Sequence, residues 1–261
     1  MLKTRLIPVV LLKNGSIVKS KSFDFYQSTG NPIEEIERFN QWKVDELIYL
    51  NISPDKNFTF RTDTNLESKI NYLDLIKKIN QKCFMPLTWG GGIRSAEEAS
   101  KILFNGADKV SLNTLVLEKP AEVEIIRKKF GSQVIVASVD LKKTHDDNYI
   151  VFSNNGKKNT GIKIEEWIKL VEQLNVGELL IQSIDKDGAG TGYAIDLLKK
   201  IKKITNLRIV ILGGVGSYHH FIDAAKHGAS GLAAANIWHY KELVDLHAKK
   251  ILKESGINVR N

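Results

Sequence analysis

The sequence has very little cysteine: Cys83 is the one thiol among 261 residues. One cysteine excludes a framework of internal disulfides, and because Cys83 begins an apolar, strand-like run, a buried reduced thiol is favoured over a nucleophile. The six histidines and this cysteine show no metal-ligand spacing. We therefore expect neither a metal ion nor a cofactor.

Long hydrophobic runs are also missing. No apolar stretch approaches the roughly 18 residues that a membrane span needs. The N-terminus lacks the order of charged, apolar and small residues that is typical of a signal peptide. We therefore expect a cytoplasmic protein with no membrane partner.

Acidic residues are in the minority, with 30 Asp and Glu against 38 Lys and Arg and a formal charge of +8. The lysines are scattered along predicted helices and loops, few aromatics lie among them, and no nucleic-acid-binding motif is present. We expect no nucleic-acid partner. A solvated lysine-rich surface, or attraction of an anionic substrate, explains the charge more simply.

What the chain does contain is a regular alternation of short apolar runs and amphipathic segments. Continuous apolar runs are typical of strands with both faces buried, and a period near 3.6 indicates helices. The predicted strands are 5–12, 46–52, 84–89, 108–113, 133–139, 178–184, 208–212 and 229–234. The predicted helices are 33–43, 66–80, 95–105, 119–129, 162–174, 193–204, 217–227 and 240–254.

Eight strand–helix units without a long linker predict a closed (β/α)8 barrel, or TIM barrel, as one domain over residues 1–261. The pattern of residues 89–114 is repeated from Gly213 onwards. Each copy has a glycine run, a predicted helix, a Gly-Ala pair and a predicted strand, which ends in Asn113 in the first copy and in Asn236 in the second. This predicts an internal twofold (β/α)4 repeat, with half-barrels of about 1–130 and 131–261. An open doubly wound sheet is the alternative, but it would not require the same strand-end glycines in both halves.

In a (β/α)8 barrel the chemistry lies at the carboxyl ends of the strands. Two such ends carry glycine runs followed by a helix, at 90–92 and 213–214. Backbone N–H groups at such a loop approach an anion closely, and the helix dipole favours negative charge there. Tight turns that need positive φ are the alternative explanation. Two anion sites related by the repeat would bind a small molecule with a phosphate at each end.

Several motifs together resemble the cyclase subunit of imidazole glycerol phosphate synthase, over essentially the whole chain. They are Gly156-Lys157-Lys158-Asn159-Thr160-Gly161, Ser183-Ile184-Asp185-Lys186-Asp187-Gly188 with Gly192-Tyr193, Gly106-Ala107-Asp108-Lys109-Val110-Ser111, and Asn258-Val259-Arg260. The resemblance implies a partner glutaminase whose ammonia travels through the barrel to a bisphosphorylated ribonucleotide, which is then cyclised and cleaved.

The resemblance also assigns roles to residues of this chain. It places phosphate-binding groups at Gly92, Asn113, Thr114, Asp187, Gly188, Gly214, Ala235 and Asn236. It places a substrate-loop lysine at Lys19 and a glutaminase contact at Asp108 and Gln133. It implies an ammonia gate of two basic and two acidic side chains at the opposite end of the barrel, at Arg5, Glu46, Lys109 and Glu178. The gate residues could equally be a buried charge network that only stabilises the barrel base.

The chain departs from the family at the catalytic mouth. The family's acid–base chemistry uses two aspartates, at the ends of the first and fifth strands, because one group takes a proton while another gives one. Asp140 is the fifth-strand member, but the first-strand position is Leu11, which can do neither. Other changes at the mouth are Asn14, Asn51, Gln182 and Leu212.

Three functions remain open at this point. In the first, the chain is a diverged paralogue that takes ammonia from a glutaminase for amidine formation on a bacterial surface sugar, with a third sugar amidotransferase protein. In the second, it is an authentic cyclase of histidine biosynthesis that has moved its acid–base work to Asp185 or Asp187. In the third, it is a non-enzymatic ammonia conduit that activates the glutaminase.

Overall fold

The computed structural model describes residues 3–54, 56–61, 67–146 and 148–260. Its strands are β1 (Arg5–Lys13), β2 (Ser16–Lys21), β3 (Phe25–Gly30), β4 (Leu47–Asn51), β5 (Asn57–Arg61), β6 (Glu67–Asn71), β7 (Leu87–Gly90), β8 (Lys109–Leu112), β9 (Ile135–Lys143), β10 (Tyr149–Ser153), β11 (Lys158–Lys163), β12 (Glu178–Ser183), β13 (Ile209–Leu212) and β14 (Gly231–Ala234). Its α-helices are α1 (Glu34–Trp42), α2 (Tyr72–Lys82), α3 (Ala96–Phe104), α4 (Thr114–Glu118), α5 (Pro120–Phe130), α6 (Ile164–Leu174), α7 (Ile195–Lys202), α8 (Tyr218–Lys226), α9 (Ile237–Tyr240) and α10 (Val244–Glu254).

Eight parallel strands close into a barrel in the order β1, β4, β7, β8, β9, β12, β13, β14. The ring closes because β14 pairs with β1, with Arg5 opposite Gly231. The two halves of the chain meet on the other side, where β8 pairs with β9. The predicted (β/α)8 barrel is therefore confirmed, and every strand end named above lies at the same end of the barrel.

Helices cover the outside of the barrel with one apolar face each. In α6, buried Ile164, Trp167, Ile168, Val171 and Leu174 recur at the spacing of one helix face. The helix then stops at Asn175, whose left-handed backbone caps it. This burial against the sheet, more than intrinsic helix propensity, holds the outer layer in place.

The core has two separate parts. The larger lies between the helices and the sheet. The smaller, which we call the inner cluster, fills the barrel interior, and its members are Ile7, Val9, Leu11, Val18, Ile48, Val136, Leu180, Val210, Leu212 and Ala233. Side chains of alternate strand residues fill the interior, as expected for a barrel of this size.

The internal repeat is visible in the fold. β1 and β9 are each nine residues long, and each continues into an antiparallel strand, β2 or β10. Ser95 and Ser217 hold equivalent places, since each caps the helix that follows a glycine loop, α3 or α8, with its side-chain oxygen.

Three pairs of strands outside the barrel were not predicted: β2–β3, β5–β6 and β10–β11. The predicted helix 66–80 is wrong at its start, because residues 67–71 form β6 and α2 begins at Tyr72, after an Asn71 cap. Residue 66 lies outside the described residues. The part of the chain that the structure describes has no helix long and apolar enough to cross a membrane.

Candidate functional site

The carboxyl ends of the barrel strands surround two neighbouring cavities, which together we call the mouth. The large cavity, of about 1040 Å³, takes in the first-half candidates Gly92, Asn113 and Thr114 together with Asp140. The small cavity, of about 160 Å³, takes in the second-half candidates Asp187, Gly188, Gly214, Ala235 and Asn236. Leu11 and Gln182 line both cavities. The two predicted anion sites therefore lie side by side, one in each cavity.

The loop of each cavity contains one glycine at which a side chain would collide with the backbone. A Cβ on Gly91, where φ is +92°, would lie 1.9 Å from the Asn51 carbonyl oxygen. A Cβ on Gly214, where φ is +90°, would lie 2.2 Å from the Gly192 carbonyl oxygen. Both close approaches and both backbone conformations require glycine. Gly92 differs, since its added Cβ would meet no atom within 4 Å and its φ of +69° alone favours glycine.

Asp140 is the acid on the floor of the large cavity. Its side chain is buried, and its Oδ2 accepts a hydrogen bond from Asn113 Nδ2 at 2.9 Å. Burial raises the pKa of Asp140 to about 7, and the charge of Asp187 raises it further, while the Asn113 hydrogen bond opposes the shift. A carboxyl group with a pKa near neutrality can both give and take a proton at physiological pH.

Leu11 lies at the mouth, at the place that the repeat relates to Asp140. It pairs with Leu50 in β4 and with Val18 in β2, and 6% of it is exposed. Its side chain belongs to the inner cluster and borders both cavities. The position across the mouth from Asp140 is therefore apolar.

Asp187 is the acid that borders the small cavity, while Glu98 and Glu118 also line the large one. Its Oδ2 accepts hydrogen bonds from Ser20 Oγ at 2.5 Å and from the Phe23 backbone N–H at 3.2 Å. Burial raises the pKa of Asp187, and these two hydrogen bonds oppose the rise. Asp185 does not lie in the mouth: it accepts the Lys143 N–H at 2.8 Å and borders a separate groove.

The β2–β3 hairpin folds over the mouth and is held to the small cavity. Besides the bonds to Asp187, the Ser20 carbonyl accepts a hydrogen bond from Asn236 Nδ2 at 3.0 Å. Lys19 lies on β2 but does not border either cavity; its Nζ sits 3.8 Å from the centre of the Tyr240 ring. Tyr240 itself borders the small cavity, so Lys19 lies beside the mouth although it does not line it.

At the opposite end of the barrel, the four predicted gate residues form one closed network, which we call the gate quartet. Arg5 donates to both carboxylate oxygens of Glu46 at 2.9 and 3.0 Å, and to Glu178 Oε2 at 2.7 Å. Lys109 completes the ring with bonds to Glu178 at 2.7 Å and to Glu46 at 3.3 Å. Each charge of the gate quartet is thus flanked by two of opposite sign.

Arg5, Glu46 and Glu178 of the gate quartet are buried and Lys109 is half-buried, which makes their pairing essential. Burial acts to lower the pKa of Arg5, but hydrogen bonds and charges from Glu178 and Glu46 outweigh it, so the pKa of Arg5 lies above its ordinary value. Burial likewise acts to raise the pKa of Glu178, and the Arg5 and Lys109 contacts outweigh it and lower that pKa. The network therefore favours the charged forms of Arg5 and Glu178.

Asp108 and Gln133, the predicted glutaminase contacts, are exposed at this same end of the barrel. Each also has an internal partner: Asp108 accepts the Leu87 N–H at 2.7 Å, and Gln133 donates to the Phe130 carbonyl at 3.0 Å. Both are therefore accessible on the face of the barrel that carries the gate quartet.

Sequence reasoning missed several polar groups of the large cavity. Ser138 lies on the same strand as Asp140, Ser111 lies on the neighbouring strand β8, and Tyr26 of β3 also borders the cavity. The alternation of polar residues along β8 and β9 was the available signal for the two serines. Among the described residues, no cluster of three or more His, Cys, Asp or Glu side chains could hold a metal ion.

Comparison with known proteins places this geometry in a family. The model of the histidine biosynthesis protein family matches residues 5–244. The chain is 38% identical over 261 residues to the imidazole glycerol phosphate synthase subunit HisF of Hydrogenobaculum sp., covering 100% of both chains. It is 35% identical over 260 residues to the same subunit of Thermotoga sp., covering 100% of this chain and 98% of the relative. The subunit of Streptococcus mutans is 36% identical over 261 residues, with both chains covered in full.

Proposed function

The chain belongs to the histidine biosynthesis protein family, and on that premise we propose that it is the ammonia-accepting barrel subunit of a glutamine amidotransferase complex. Its partner is a glutaminase that docks at the gate end. Its acceptor is a phosphorylated small molecule bound at the mouth. We further propose that the active site has diverged, so that the complex serves amidine formation on a bacterial surface sugar together with a third, sugar amidotransferase protein.

The route for ammonia is supported by the barrel interior. The gate quartet lies at one end, the mouth lies at the other, and the ten apolar residues of the inner cluster lie between them. Neutral ammonia enters an apolar interior far more readily than an ion does. A charged ring is not needed to close a barrel, since packed apolar side chains would do so. A selective entrance for ammonia explains why the charged ring is there.

The divergence rests on one observation, the contrast between Asp140 and Leu11 at the mouth. Addition of ammonia to a carbonyl carbon with loss of water needs one group to accept a proton and another to donate one. Asp140, with a pKa of about 7, can serve as either. Leu11 can serve as neither, and loss of one member of such a pair lowers the rate by about 10²–10⁴-fold.

The direct test is an assay of cyclase activity with ammonium salt and the bisphosphorylated ribonucleotide substrate. The Hydrogenobaculum subunit, assayed alongside, is the positive control. We expect this chain to be at least about 10²-fold slower. Turnover within a few-fold of the control would mean that the chain is an authentic cyclase.

The authentic-cyclase alternative has one observation in its favour. Asp187 is buried beside the small cavity, its pKa is raised, and its charge acts on Asp140. It could replace the acid that is missing at Leu11. In that case Asp187→Asn would abolish cyclase turnover as completely as Asp140→Asn does. Under our proposal neither substitution changes a turnover that is already at background.

A non-enzymatic conduit is distinguished by the Asp140→Asn variant in the complete complex. If the barrel carries out chemistry, this variant hydrolyses glutamine normally but makes no amidine product. If the barrel were only a conduit, the Asp140→Asn variant would keep both glutamine hydrolysis and amidine formation, because Asp140 is remote from the gate quartet that admits ammonia. Full amidine formation by the variant would therefore refute the chemical role of the mouth.

A further inference from the structure

The last helix, α10, buries two charged side chains in the face that packs against its neighbours. The buried residues of this face are Val244, Asp245, Ala248, Lys249 and Leu252. Three of them are the apolar residues that a docking face needs, but Asp245 is only 1% exposed and Lys249 only 6%. Burial of a carboxyl and an ammonium group costs free energy that apolar side chains of similar size would not cost. Packing alone therefore does not explain this pair.

One ammonium group lies between two carboxyl groups, and we call these three side chains the α10 cluster: Asp45, Asp245 and Lys249. Lys249 Nζ lies 2.9 Å from Asp45 Oδ1 and 3.1 Å from Asp245 Oδ2. It donates a third bond to the Lys43 carbonyl at 3.3 Å. The other oxygen of Asp45 accepts the Leu6 N–H at 2.8 Å. All three ammonium protons and both oxygens of Asp45 are therefore used.

Asp245 is the member of the α10 cluster whose hydrogen bonding is incomplete. Its Oδ1 is buried and has no hydrogen-bond partner among the described residues. If both carboxyl groups were ionised, two negative charges would share one positive charge in a buried site. A proton on Asp245 removes this excess. Burial raises the pKa of Asp245 to about 7, while Lys249 opposes the rise and the charge of Asp45 adds to it.

The charges that act on Asp245 are those of Lys249 and Asp45. The helices packed beside α10 are α1 and α8. Titratable groups of these helices and of the chain ends nearby are engaged elsewhere, in the pairs Glu35–Arg38, Glu37–Lys82 and Tyr218–His247, in the gate quartet, and at Arg260, which contacts the Asp45 carbonyl. His219, Asp223 and Lys226 of α8 border a separate surface groove. Proton loss from Asp245 is therefore governed by burial and by the α10 cluster itself.

The α10 cluster joins the last helix to the start of the barrel sheet. Asp45 precedes β4, and Leu6 lies at the start of β1. The chain after α10 is held at the same end, where the Thr4 N–H donates to the Asn258 carbonyl at 2.7 Å. Before α10, Leu243 has a left-handed backbone with a φ of +52°, which is unfavourable for a residue other than glycine. Detachment of α10 would relieve this conformation, so a weaker α10 cluster favours detachment.

We propose that the α10 cluster is a pH-dependent latch, which holds α10 and the chain end against the barrel while Asp245 is protonated and lets them loosen when Asp245 loses its proton to water. The sheet stays closed, because β14 pairs with β1 directly. The pKa of Asp245 is about 7 with α10 docked and returns to its ordinary value of 3.8 when the helix detaches. The docked state is therefore favoured most below about pH 3.8, and progressively less as the pH rises through about 7. This latch is a property of the barrel alone and does not depend on the proposed function.

Hydrogen–deuterium exchange of the full-length protein at pH 6 and pH 8, read out by mass spectrometry of peptides from α10, tests the latch. Exchange rates divided by the intrinsic rates at each pH give the opening constant of the helix. From the two pKa values of Asp245, this constant should rise about tenfold between pH 6 and pH 8 in the wild type. Asp245→Asn should have the same opening constant at both pH values. Asp245→Val, which also removes the charge, gives the same test should the asparagine variant fail to fold.

Two control variants separate the latch from other effects of pH. Glu254→Gln removes an exposed carboxyl group of the same helix and should keep the rise. Asp140→Asn should keep it as well, because ionisation of Asp140 acts on unfolding of the whole barrel and not on detachment of α10. A wild-type opening constant that is the same at both pH values, or a rise that persists without the Asp245 carboxyl, would overturn the proposal. A rise that Asp140→Asn abolishes would assign the effect to global unfolding and would overturn it too.

Discussion

Replacing Asp140 by asparagine should stabilise the protein at alkaline pH and much less at acidic pH. The Asp140 carboxyl is buried, and its pKa of about 7 lies well above its ordinary value of 3.8. Because the pKa is higher in the folded chain, folding favours the protonated form. The native state therefore has its full stability below about pH 3.8 and loses part of it as the pH rises through about 7.

The magnitude follows from the two pKa values. One pKa unit corresponds to about 1.4 kcal/mol, so the full shift of about three units amounts to about 4 kcal/mol once both states are ionised. At pH 5 the Asp140 carboxyl is mostly ionised in the unfolded chain but protonated in the folded one. Part of this total of about 4 kcal/mol has therefore already been lost at pH 5. Between pH 5 and pH 8 the free energy of unfolding of the wild type should fall by about 2–3 kcal/mol relative to that of Asp140→Asn.

Urea unfolding of both proteins at pH 5 and pH 8 measures this difference directly. Asp196→Asn is a control without pH dependence in this range, because the Asp196 pKa is lowered from 3.8: burial acts to raise it, but hydrogen bonds from Tyr149 and Lys143 outweigh that effect. Its contribution is fully present above the ordinary pKa and is lost only as the pH falls below it, so the effect of this variant should be the same at pH 5 and pH 8. An Asp140→Asn effect that is the same at both pH values would refute the argument.

Three further substitutions test other parts of the account. Glu178→Gln leaves buried Arg5 and half-buried Lys109 underpaired and should lower the free energy of unfolding by about 3–5 kcal/mol in urea titrations; a loss below about 1 kcal/mol would show that the network is not needed for stability. Gly91→Ala, whose methyl group would collide with the Asn51 carbonyl, should cost more than about 2 kcal/mol on the same measure, and a neutral result would mean that the loop relaxes freely. Ser20→Ala removes a hydrogen bond to Asp187 and should speed tryptic cleavage of the β2–β3 hairpin, whereas an unchanged rate would show that the hairpin is held by other contacts.

The barrel was predictable because its signals are local. Strands β1, β12 and β13 are buried on both faces and consist mostly of apolar residues, which makes them recognisable in the sequence. Gly91 and Gly214 were recognised because glycine runs at a strand end have a specific steric cause, which the close approaches to Asn51 and Gly192 now identify. Each predicted strand and helix therefore has a counterpart in the structure.

The hairpins over the mouth were not predictable in the same way. β3 is almost wholly exposed, so it lacks the alternation of apolar and polar residues that reveals a half-buried strand. β11 contains Asn159, Thr160 and Gly161, which are typical of turns. Both strands are stabilised by pairing with a neighbour, which is information that the sequence of one segment does not contain.

The chemistry of individual side chains was the least predictable part. Asp140 was identified, but the rise of its pKa comes from burial and the charge of Asp187, against the opposing hydrogen bond from Asn113, and only the fold brings these groups together. Gln182 was identified as a difference from the family, yet only the fold shows that it borders both cavities.

The first barrel strand supplies no carboxylate across the mouth from Asp140, because leucine occupies position 11. The most direct measurement is ammonium-dependent cyclase turnover by the Leu11→Asp variant compared with the wild type. We expect the substitution to raise turnover of the bisphosphorylated ribonucleotide by at least about 10²-fold, because it restores the acid–base pair with Asp140. A wild type that is already active, and that Leu11→Asp leaves unchanged or slows, would contradict the claim.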